Sequence, residues 1–285
     1  MIIKNKQTSF TLIELLVVIV IIGILAGVIM ISTSSSIDKA NFAKAQAFSK
    51  TVQNELLLNL VSEWTFDEPQ IEDTTKDTWG NNDGAVYGAT HKTKDLNECI
   101  FGGCYNFNGI NNYIDCGGNL TITPDMDFTY SVWVKYDSTS WNFVMGGGGS
   151  YTYSLYTNHG GEYKPWFYIS YEGSVSRYFT GKAWDLNKWH YLVVTRKGDN
   201  YAIYQDGSFT KDYTYDTAIS LSYLYIGGND DRKGSGLLDD VRIYNAALSN
   251  SQIKQNYIAG LNSMLANGNI SKEEYNERIN TLAHE

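Results

Sequence analysis

The sequence predicts an α+β protein with a long N-terminal transmembrane helix, an all-β antiparallel jelly-roll sandwich and a short C-terminal helical hairpin. Three observations predict this class. An apolar run comes first, short alternating strands without intervening helices follow it, and the tail returns to helical spacing. The expected divisions are a leader at 1–9, a helix at 10–62, a sandwich at 63–248 and the hairpin at 249–285.

The apolar run, residues 10–31, reads FTLIELLVVIVIIGILAGVIMI and carries one charge, Glu14. A helix of this length extends about 33 Å, enough to cross the apolar core of a bilayer. The change from polar to apolar falls between Ser9 and Phe10, ahead of the run, whereas an ordinary secretory signal is cleaved after its apolar region. We therefore predict a membrane span.

The helix is expected to continue beyond the bilayer as an amphipathic segment, residues 32–62. Apolar side chains recur there at near-helical spacing from Ile37 to Leu60. Pro69 argues against further helix.

The N-terminus resembles the type IV prepilin family, which includes the pseudopilins of type II secretion. The residues that carry the resemblance are Phe10, Thr11, Leu12, Ile13 and Glu14. It implies that a membrane-embedded aspartyl peptidase, the prepilin peptidase, cuts between Ser9 and Phe10 and methylates the new amino terminus. Ser9 is a departure, since the family usually has glycine there.

Glu14 is expected to have a function, because a carboxylate near the apolar zone costs about 2.5–3.5 kcal/mol. The pilin resemblance implies that it pairs with the amino-terminal nitrogen of a neighbouring subunit and sets the register of a filament. The alternative is a carboxylate that lies at the level of the lipid headgroups.

Composition excludes one class of partner and favours strands. The net charge of −9 argues against nucleic acid, which needs a basic surface. The 22 tyrosines, 26 glycines and only 3 prolines indicate a β-rich body with many turns.

The three cysteines, Cys99, Cys104 and Cys116, lie close together in the sequence. An exported domain meets an oxidising environment, which favours a disulfide. We favour Cys99–Cys104, because these residues flank IFGG and its glycines allow a tight turn. A Cys104–Cys116 bond and three reduced thiols remain alternatives. The spacing is not that of a zinc site.

Alternation of apolar and polar residues predicts strands in the central part of the chain. Two β-rich runs around Gly198-Asp199-Asn200 predict a hairpin. The predicted strands lie within 105–117, 128–136, 165–171, 189–197, 200–209 and 224–228.

The body resembles the laminin-G-like, concanavalin A-like jelly-roll family. Trp64, Phe107, Trp133 and Trp189 are expected to be core anchors, and Asp206-Gly207 a turn. The matching pieces, in the family's order, are WTFDE (64–68), DTWGNNDG (77–84), YNFNGINNYID (105–115), FTYSVWVK (128–135), KWHYLVVTRKGDNYAIYQDG (188–207), YIGG (225–228) and GLLDDVRIYNAALSNSQI (236–253).

The jelly-roll resemblance implies a calcium ion near the two chain ends of the domain, and calcium is the one cofactor that we expect. Calcium takes oxygen ligands. Strand parity independently predicts that Asp239 points inward with Val241 and Ile243, and a buried carboxylate needs a partner or a metal. The alternative is hydrogen bonding to backbone amides or to an arginine. The matching positions are Asp67, Asp77, Asn82, Asp239 and Asp240.

Lectin-like members of this family often bind sugars by aromatic stacking on a sheet or on its rim. The residues that we expect to be exposed for this purpose are Tyr151, Tyr153, Trp166 and Tyr168. Phe167 and Ile169 have the opposite parity and suit the core. The alternative is a packed or exposed sheet face without a ligand.

The tail predicts a helix, a turn at Asn267-Gly268-Asn269 and a second helix. Ser249 or Asn250 is expected to cap the first helix, and Ser271 with Glu274 forms a capping box for the second. Such hairpins are often associated with oligomerisation. The alternative is a hairpin that packs only on its own domain.

Catalysis is not expected. A retaining glycosidase needs two carboxylates about 5–5.5 Å apart, and no strand carries such a Glu or Asp cluster. The four histidines do not match a Ser-His-Asp arrangement, and no phosphate-binding glycine loop is followed by lysine.

The sequence therefore predicts a minor or tip subunit of a type IV pilin-like surface filament or secretion pseudopilus, displaying an extracellular lectin-like jelly roll for adhesion or ligand binding. The head is large for a major pilin. Expected partners are the membrane, other pilins, the prepilin peptidase and a carbohydrate or cell-surface ligand. We expect the protein to lie in the bacterial cytoplasmic membrane before assembly and at the cell surface, in an extracellular filament, afterwards. The alternative is a membrane-anchored lectin or adhesin that does not assemble.

Overall fold

A computed structural model describes residues 57–68, 73–93, 98–120, 122–123, 125–137, 142–147, 152–159, 162–171, 175–183, 185–216, 223–229 and 232–283. The predicted leader, membrane span and nearly all of the amphipathic segment lie outside these residues, and so do Ser9, Phe10 and Glu14. Within the described ranges, no helix has both the length and the apolar character that a bilayer crossing requires.

Sixteen strands and two helices form in the described residues. The strands are β1 (Leu60–Trp64), β2 (Thr74–Thr75), β3 (Gly84–Tyr87), β4 (Thr90–Thr93), β5 (Gly103–Asn108), β6 (Tyr113–Asp115), β7 (Phe128–Lys135), β8 (Asn142–Gly146), β9 (Thr152–His159), β10 (Glu162–Tyr171), β11 (Val175–Thr180), β12 (His190–Lys197), β13 (Asn200–Gln205), β14 (Ser208–Thr214), β15 (Tyr225–Ile226) and β16 (Ser235–Tyr244). The helices are α1 (Asn250–Ala266) and α2 (Lys272–Ala283).

The strands form two antiparallel sheets, which confirms the predicted sandwich. Sheet A has the order β14-β13-β12-β7-β16-β5-β4, with β1 paired to β16. Sheet B has the order β11-β10-β9-β8-β15-β6-β3-β2. Neighbouring strands in the chain often lie apart, as β7 does from β8, so the two sheets are built by repeated crossing between layers.

Alternating residues of the strands fill the space between the sheets. In β7, Tyr130, Val132 and Val134 belong to the core, and Trp64 and Phe107 are buried with them as expected. Trp133 is also fully buried, but it points away from this core. Period-two alternation thus gives sheet A two buried faces.

Two turns of sheet A follow the sequence prediction. Lys197 pairs with Asn200 across the β12–β13 hairpin, where Gly198 has a φ of +57°. Asp206 and Gly207, between β13 and β14, both have positive φ, +54° and +77°. Tight hairpin turns require this conformation, and Asp and Gly tolerate it best.

The two C-terminal helices form as predicted, with one difference at a cap. Ser249 caps α1, and its side chain and that of Gln252 form a complete capping box. At α2, Ser271 Oγ accepts the Glu274 N–H at 3.2 Å. The Glu274 carboxylate instead accepts from Arg278 at 2.7 Å. This box is therefore only half formed, since a charge-assisted bond competes with the backbone for the carboxylate.

Helix α1 packs on the outer face of sheet A. A Cβ at Gly260 would lie 2.1 Å from the Trp133 ring, so glycine allows the close approach. Tyr257 stacks on Trp133 with ring centroids 5.5 Å apart. The hairpin thus packs against its own domain, and β-sandwich and helices belong to one unit, Leu56–Glu285.

Candidate functional site

The disulfide is Cys99–Cys104, which confirms the favoured pairing. Cys104 lies on the outer side of β5, next to the core residue Tyr105. Cys116 is a free thiol buried in the core, and burial raises its pKa well above the ordinary value. The alternative Cys104–Cys116 bond does not form, because Cys104 points away from the core and Cys116 lies within it.

Two of the predicted calcium ligands hold the loop that the disulfide closes. Asp239 Oδ2 accepts from the backbone N–H groups of Ile100 at 2.7 Å and Phe101 at 3.1 Å. Asp67 Oδ1 accepts from the N–H of Gly103 at 2.8 Å. Burial, with the nearby Asp240 carboxylate, raises the pKa of Asp239 well above its usual range. These contacts match the alternative to calcium that the sequence left open, in which the carboxylate accepts hydrogen bonds from backbone amides.

The predicted direction of Asp239 is wrong, although the residue is fully buried. The register of β16 breaks after Asp239, and Asp240 has a φ of +50°. Val241 and Ile243 face the core, whereas Asp239 lies opposite Trp133 on the outer face. A bulge inserts one extra residue and so reverses the alternation on which the prediction relied.

Asp240 forms the polar end of this outer face. Its Oδ1 lies 2.9 Å from Arg242 Nη2, and Arg242 Nε also donates to Glu63 at 2.8 Å. Burial raises the pKa of the Asp240 carboxyl to about 6, although Arg242 lowers it; Glu63 and Asp67 raise it further.

Asp77 and Asn82 organise a different loop. Asp77 Oδ1 accepts N–H groups from Glu63 at 2.9 Å and Gly80 at 2.8 Å, and Oδ2 accepts that of Asn82 at 3.0 Å. Asn82 Nδ2 donates to Ser62 Oγ at 2.6 Å. Both Asp77 oxygens are thus used by backbone donors, which does not fit a calcium ligand.

Calcium therefore stays a prediction, with a reduced set of ligands. Among the residues that the structure describes, no group of three or more His, Cys, Asp or Glu is arranged to hold a metal. Asp239 Oδ1 does fit a ligand role, since it is buried and has no hydrogen-bond partner within the described part of the chain.

The residues predicted to stack on sugars do not form one exposed surface. Tyr151 lies outside the described residues. Tyr153 was predicted to be exposed, but it is fully buried in the core, where it stacks on Phe167 at 5.9 Å. Trp166 points out of the core as its parity predicts, yet it is only 2% exposed. Tyr168 is half-buried.

Trp166 is buried because it packs within a cluster of aromatic side chains, which we call the covered cluster. On the outer face of sheet B it packs with Phe143 and Tyr156, and stacks on Tyr156 at 4.6 Å. Arg232 lies over Tyr156 and Tyr168, with Cζ 5.9 and 5.6 Å from the two ring centroids. Burial raises the pKa of Tyr156 to about 12. Aromatic packing and a cation–π contact thus occupy the rings chosen from the sequence.

A second group of rings on the same face is open. We call Tyr87, Tyr113, Tyr223 and Tyr225 the tyrosine cluster. Tyr87 stacks on Tyr113 at 4.5 Å, Tyr223 stacks on Tyr225 at 5.9 Å, and Tyr113 meets Tyr225 edge to face at 6.1 Å. Tyr87 is 48% and Tyr223 46% exposed.

The order of sheet B explains how the tyrosine cluster forms. Strand β6 lies between β3 and β15, which brings Tyr87, Tyr113 and Tyr225 side by side. Their neighbours Val86, Ile114 and Ile226 face the core. Sequence analysis missed the cluster. The signal that could have found it is the alternation within these short strands, which places each tyrosine on the face opposite a core residue.

Comparison with known families finds two matches along the chain. A model described as the prokaryotic N-terminal methylation motif matches residues 4–30. A second, described as the concanavalin A-like lectin/glucanases superfamily, matches residues 108–254, about half of the chain. The chain belongs to the concanavalin A-like lectin/glucanases superfamily. No curated protein matches it.

Solved structures share the fold of this superfamily member at low sequence identity. Domain 4 of AbnA, an extracellular arabinanase from Geobacillus stearothermophilus in complex with arabinotriose, has a TM-score of 0.56 at 17% identity, over 69% of this chain and 97% of that one. The botulinum neurotoxin serotype D ligand-binding domain with N-acetylneuraminic acid gives 0.57 at 14%, over 74% and 53%. A Trypanosoma rangeli sialidase gives 0.51 at 17%, over 70% and 32%.

These neighbours include both binding domains and a hydrolase, so the fold does not decide between binding and catalysis. In this superfamily member, His190 Nδ1 lies 2.7 Å from Asp206 Oδ2, and its Nε2 lies 3.2 Å from the backbone oxygen of Asp185. Both ring nitrogens therefore face acceptors. The absence of catalytic activity stays a prediction.

Proposed function

We propose that this chain is an exported, pilin-like surface protein whose jelly roll binds carbohydrate, and that it is a minor or tip subunit of a type IV filament or secretion pseudopilus. An N-terminal methylation motif and a lectin-superfamily domain in one chain support export followed by display. The open tyrosine cluster is the observation that carries carbohydrate binding.

The geometry of the tyrosine cluster suits a sugar chain. Aromatic rings offer an apolar face and tyrosine adds a hydroxyl, which together complement the C–H face and the hydroxyl groups of a sugar. The rings of each stacked pair pack against each other, which limits the conformational freedom that they can lose on binding. Tyr168, under Arg232, lies in the adjacent covered cluster on the same face and is proposed to extend the surface.

The binding experiment uses the full-length chain in detergent micelles on a glycan array that includes arabinotriose and N-acetylneuraminic acid, the ligands of two similar structures. The tightest ligand is then titrated into Tyr87→Ala and Tyr225→Ala. We expect each substitution to weaken binding at least about tenfold, equivalent to ~1.4 kcal/mol.

The matched control is Tyr213→Ala, which removes an exposed tyrosine from sheet A. It should bind as the parent does. Equal affinity for the parent, Tyr87→Ala and Tyr225→Ala would reject the tyrosine cluster as the binding site.

Assembly is tested by Glu14→Ala, with Glu55→Ala as a matched control in the predicted amphipathic segment. Intact mass and N-terminal sequence are measured for sheared surface and membrane fractions. A chain that begins at methylated Phe10 in the sheared fraction, and is lost from it only in Glu14→Ala, identifies a filament subunit. A chain that keeps its leader and stays in membranes would instead be an anchored lectin.

A further inference from the structure

A polar cavity of about 250 Å³ lies where the helical hairpin meets the end of the sandwich. Its walls come from the segment that leads into β12, from the β13–β14 turn and from both helices of the hairpin, α1 through Tyr257. The side chains used below are Lys182, His190, Gln205, Asp206, Ser208 and Arg278. None of these belongs to the tyrosine cluster.

Contacts between the sandwich and the helices hold the cavity walls in place. Arg278 Nη1 donates to the Trp189 carbonyl at 2.8 Å, which ties α2 to the start of β12. A Cβ at Gly207 would lie 3.0 Å from Tyr257 and 3.1 Å from Leu282, so the β13–β14 turn packs directly on both helices. The cavity therefore exists only in the assembled domain and is fixed by it.

The charges that line the cavity are nearly balanced. Three cationic side chains and four carboxylates face it. Within this set, Lys188 pairs with Asp185 at 2.7 Å, Arg278 with Glu274 at 2.7 Å, and His190 with Asp206 at 2.7 Å. Because Lys188 and Arg278 each pair with a carboxylate and His190 lies against Asp206, most of the charge in the lining is already partnered, and the cavity suits an uncharged ligand with many hydrogen-bonding groups.

One buried polar atom lacks a donor. Gln205 is 7% exposed, and its Oε1 has no hydrogen-bond partner in the part of the chain that the structure describes. An unsatisfied buried acceptor costs about 1–3 kcal/mol. A ligand hydroxyl that donates to this amide would remove the cost, and Ser208, on the facing side of the turn, can donate or accept.

An adjoining cavity of about 350 Å³ shares Lys182 and Ser208 with the first. Phe209, which is 46% exposed, forms part of its wall. An aromatic ring beside a polar cavity offers a stacking surface to the ligand's next ring.

We propose that the hairpin cavity binds the terminal residue of a neutral glycan, with the following residue over Phe209. Its volume is just below the range of about 300–1,000 Å³ of drug-sized sites, so it holds one sugar ring and not a chain. The inference rests on the proposed function for its ligand class, but the site is separate. The cavity would recognise the end of the glycan, whereas the tyrosine cluster would recognise the glycan along its length.

The test uses saturation-transfer NMR on the full-length chain in detergent micelles. The probes are free glucose, galactose, mannose, N-acetylglucosamine and arabinose, with N-acetylneuraminic acid as the charged comparison. Thr281→Trp fills the cavity from an exposed position of α2, and Ala183→Tyr fills it from the opposite wall. Asn280→Trp, exposed on α2 and outside the cavity lining, is the matched control.

We expect at least one neutral sugar to bind, with a loss of at least about tenfold in both filled variants. Asn280→Trp and Tyr213→Ala should bind that sugar as the parent does. No neutral sugar bound, unchanged binding in the filled variants, or tighter binding of N-acetylneuraminic acid would each overturn the proposal. Loss of array binding only in the tyrosine variants would reject this cavity alone. Loss only in the filled variants would reject the tyrosine cluster alone.

Discussion

The two outer faces of the sandwich carry similar aromatic residues but differ in how far these residues are exposed to solvent. On sheet A, Trp133 and Tyr191 point away from the core and are 0% and 1% exposed. On sheet B, Tyr87 and Tyr223 also point away from the core and are 48% and 46% exposed. Helix α1 covers the first pair, and the second pair is open.

The comparison shows that covering by another segment, and not residue type, separates a buried outward aromatic from an exposed one. Gly260 lets α1 approach Trp133, and the disulfide loop adds the bond from Ser263 Oγ to the Ile100 carbonyl at 2.6 Å. Sheet B shows both states on a single face, since Trp166 is covered while Tyr87 is exposed.

The largest contrast is expected between Trp133→Ala and Tyr225→Ala. Trp133→Ala removes a buried ring under α1 and should lower the free energy of unfolding by about 3–5 kcal/mol. Tyr225→Ala removes a half-buried ring from the open face and should cost about 1 kcal/mol. Urea unfolding followed by near-ultraviolet circular dichroism measures both. Equal losses would contradict the difference between the faces.

Removing the disulfide tests how much the disulfide loop stabilises the packing of the helical hairpin on sheet A. The Cys99→Ser, Cys104→Ser double variant should lose about 2 kcal/mol, because the bond closes a short loop. Asn269 Nδ2 donates to the Cys99 carbonyl at 2.6 Å, so proteolysis should also cut the helical hairpin faster. Reductant should destabilise the parent equally and leave the variant unchanged. A parent that does not respond to reductant would contradict this.

Stability should depend on pH through Asp240, on the covered face. Its folded pKa of about 6 exceeds the unfolded value of about 3.9, so its contribution is present below pH 4 and is lost as pH rises through 6. We expect urea stability to fall by about 1.4 kcal/mol between pH 5 and pH 8.

Asp240→Asn is the matched variant for this measurement. It should weaken the dependence, while Arg242 keeps its ion pair with Glu63. An unchanged slope in Asp240→Asn would assign the effect to other groups.

The last prediction concerns calcium. If Asp239 Oδ1 is a ligand, an excess of about 100-fold over the dissociation constant stabilises the fold by at most ~2.7 kcal/mol. Thermal melts with calcium or chelator measure this, and Asp239→Asn should abolish the shift. Asp77→Asn is the comparison, since its oxygens already serve backbone donors. No calcium-dependent shift in the parent would exclude the site.

Local patterns predicted much of the fold. Alternation placed β7, β12 and β13, the Asp206-Gly207 pair predicted a tight turn, and Ser249 predicted the start of α1. Parity also separated Phe167 and Ile169 from Trp166 correctly. It failed at Asp239, because a bulge after that residue is not visible in the alternation, and at Tyr153, which lies on the core face.

The candidate sites were harder to predict than the strands. The tyrosine cluster needs β3, β6 and β15 as neighbours, although Tyr87 at the end of β3 and Tyr225 at the start of β15 lie 225 − 87 = 138 positions apart in the sequence. Sequence analysis named none of its four tyrosines as exposed. It could not identify the hairpin cavity, whose walls come from three separate parts of the chain.

The sequence by itself determined the strand alternation, the tight turns and the first helix cap, because local dihedral preferences and side-chain periodicity decide these. Only the tertiary structure decided which outward aromatics α1 and Arg232 cover and which remain open. The reason is physical. Exposure depends on which segments meet in space, and the burial of apolar surface is favourable whichever segment provides the cover.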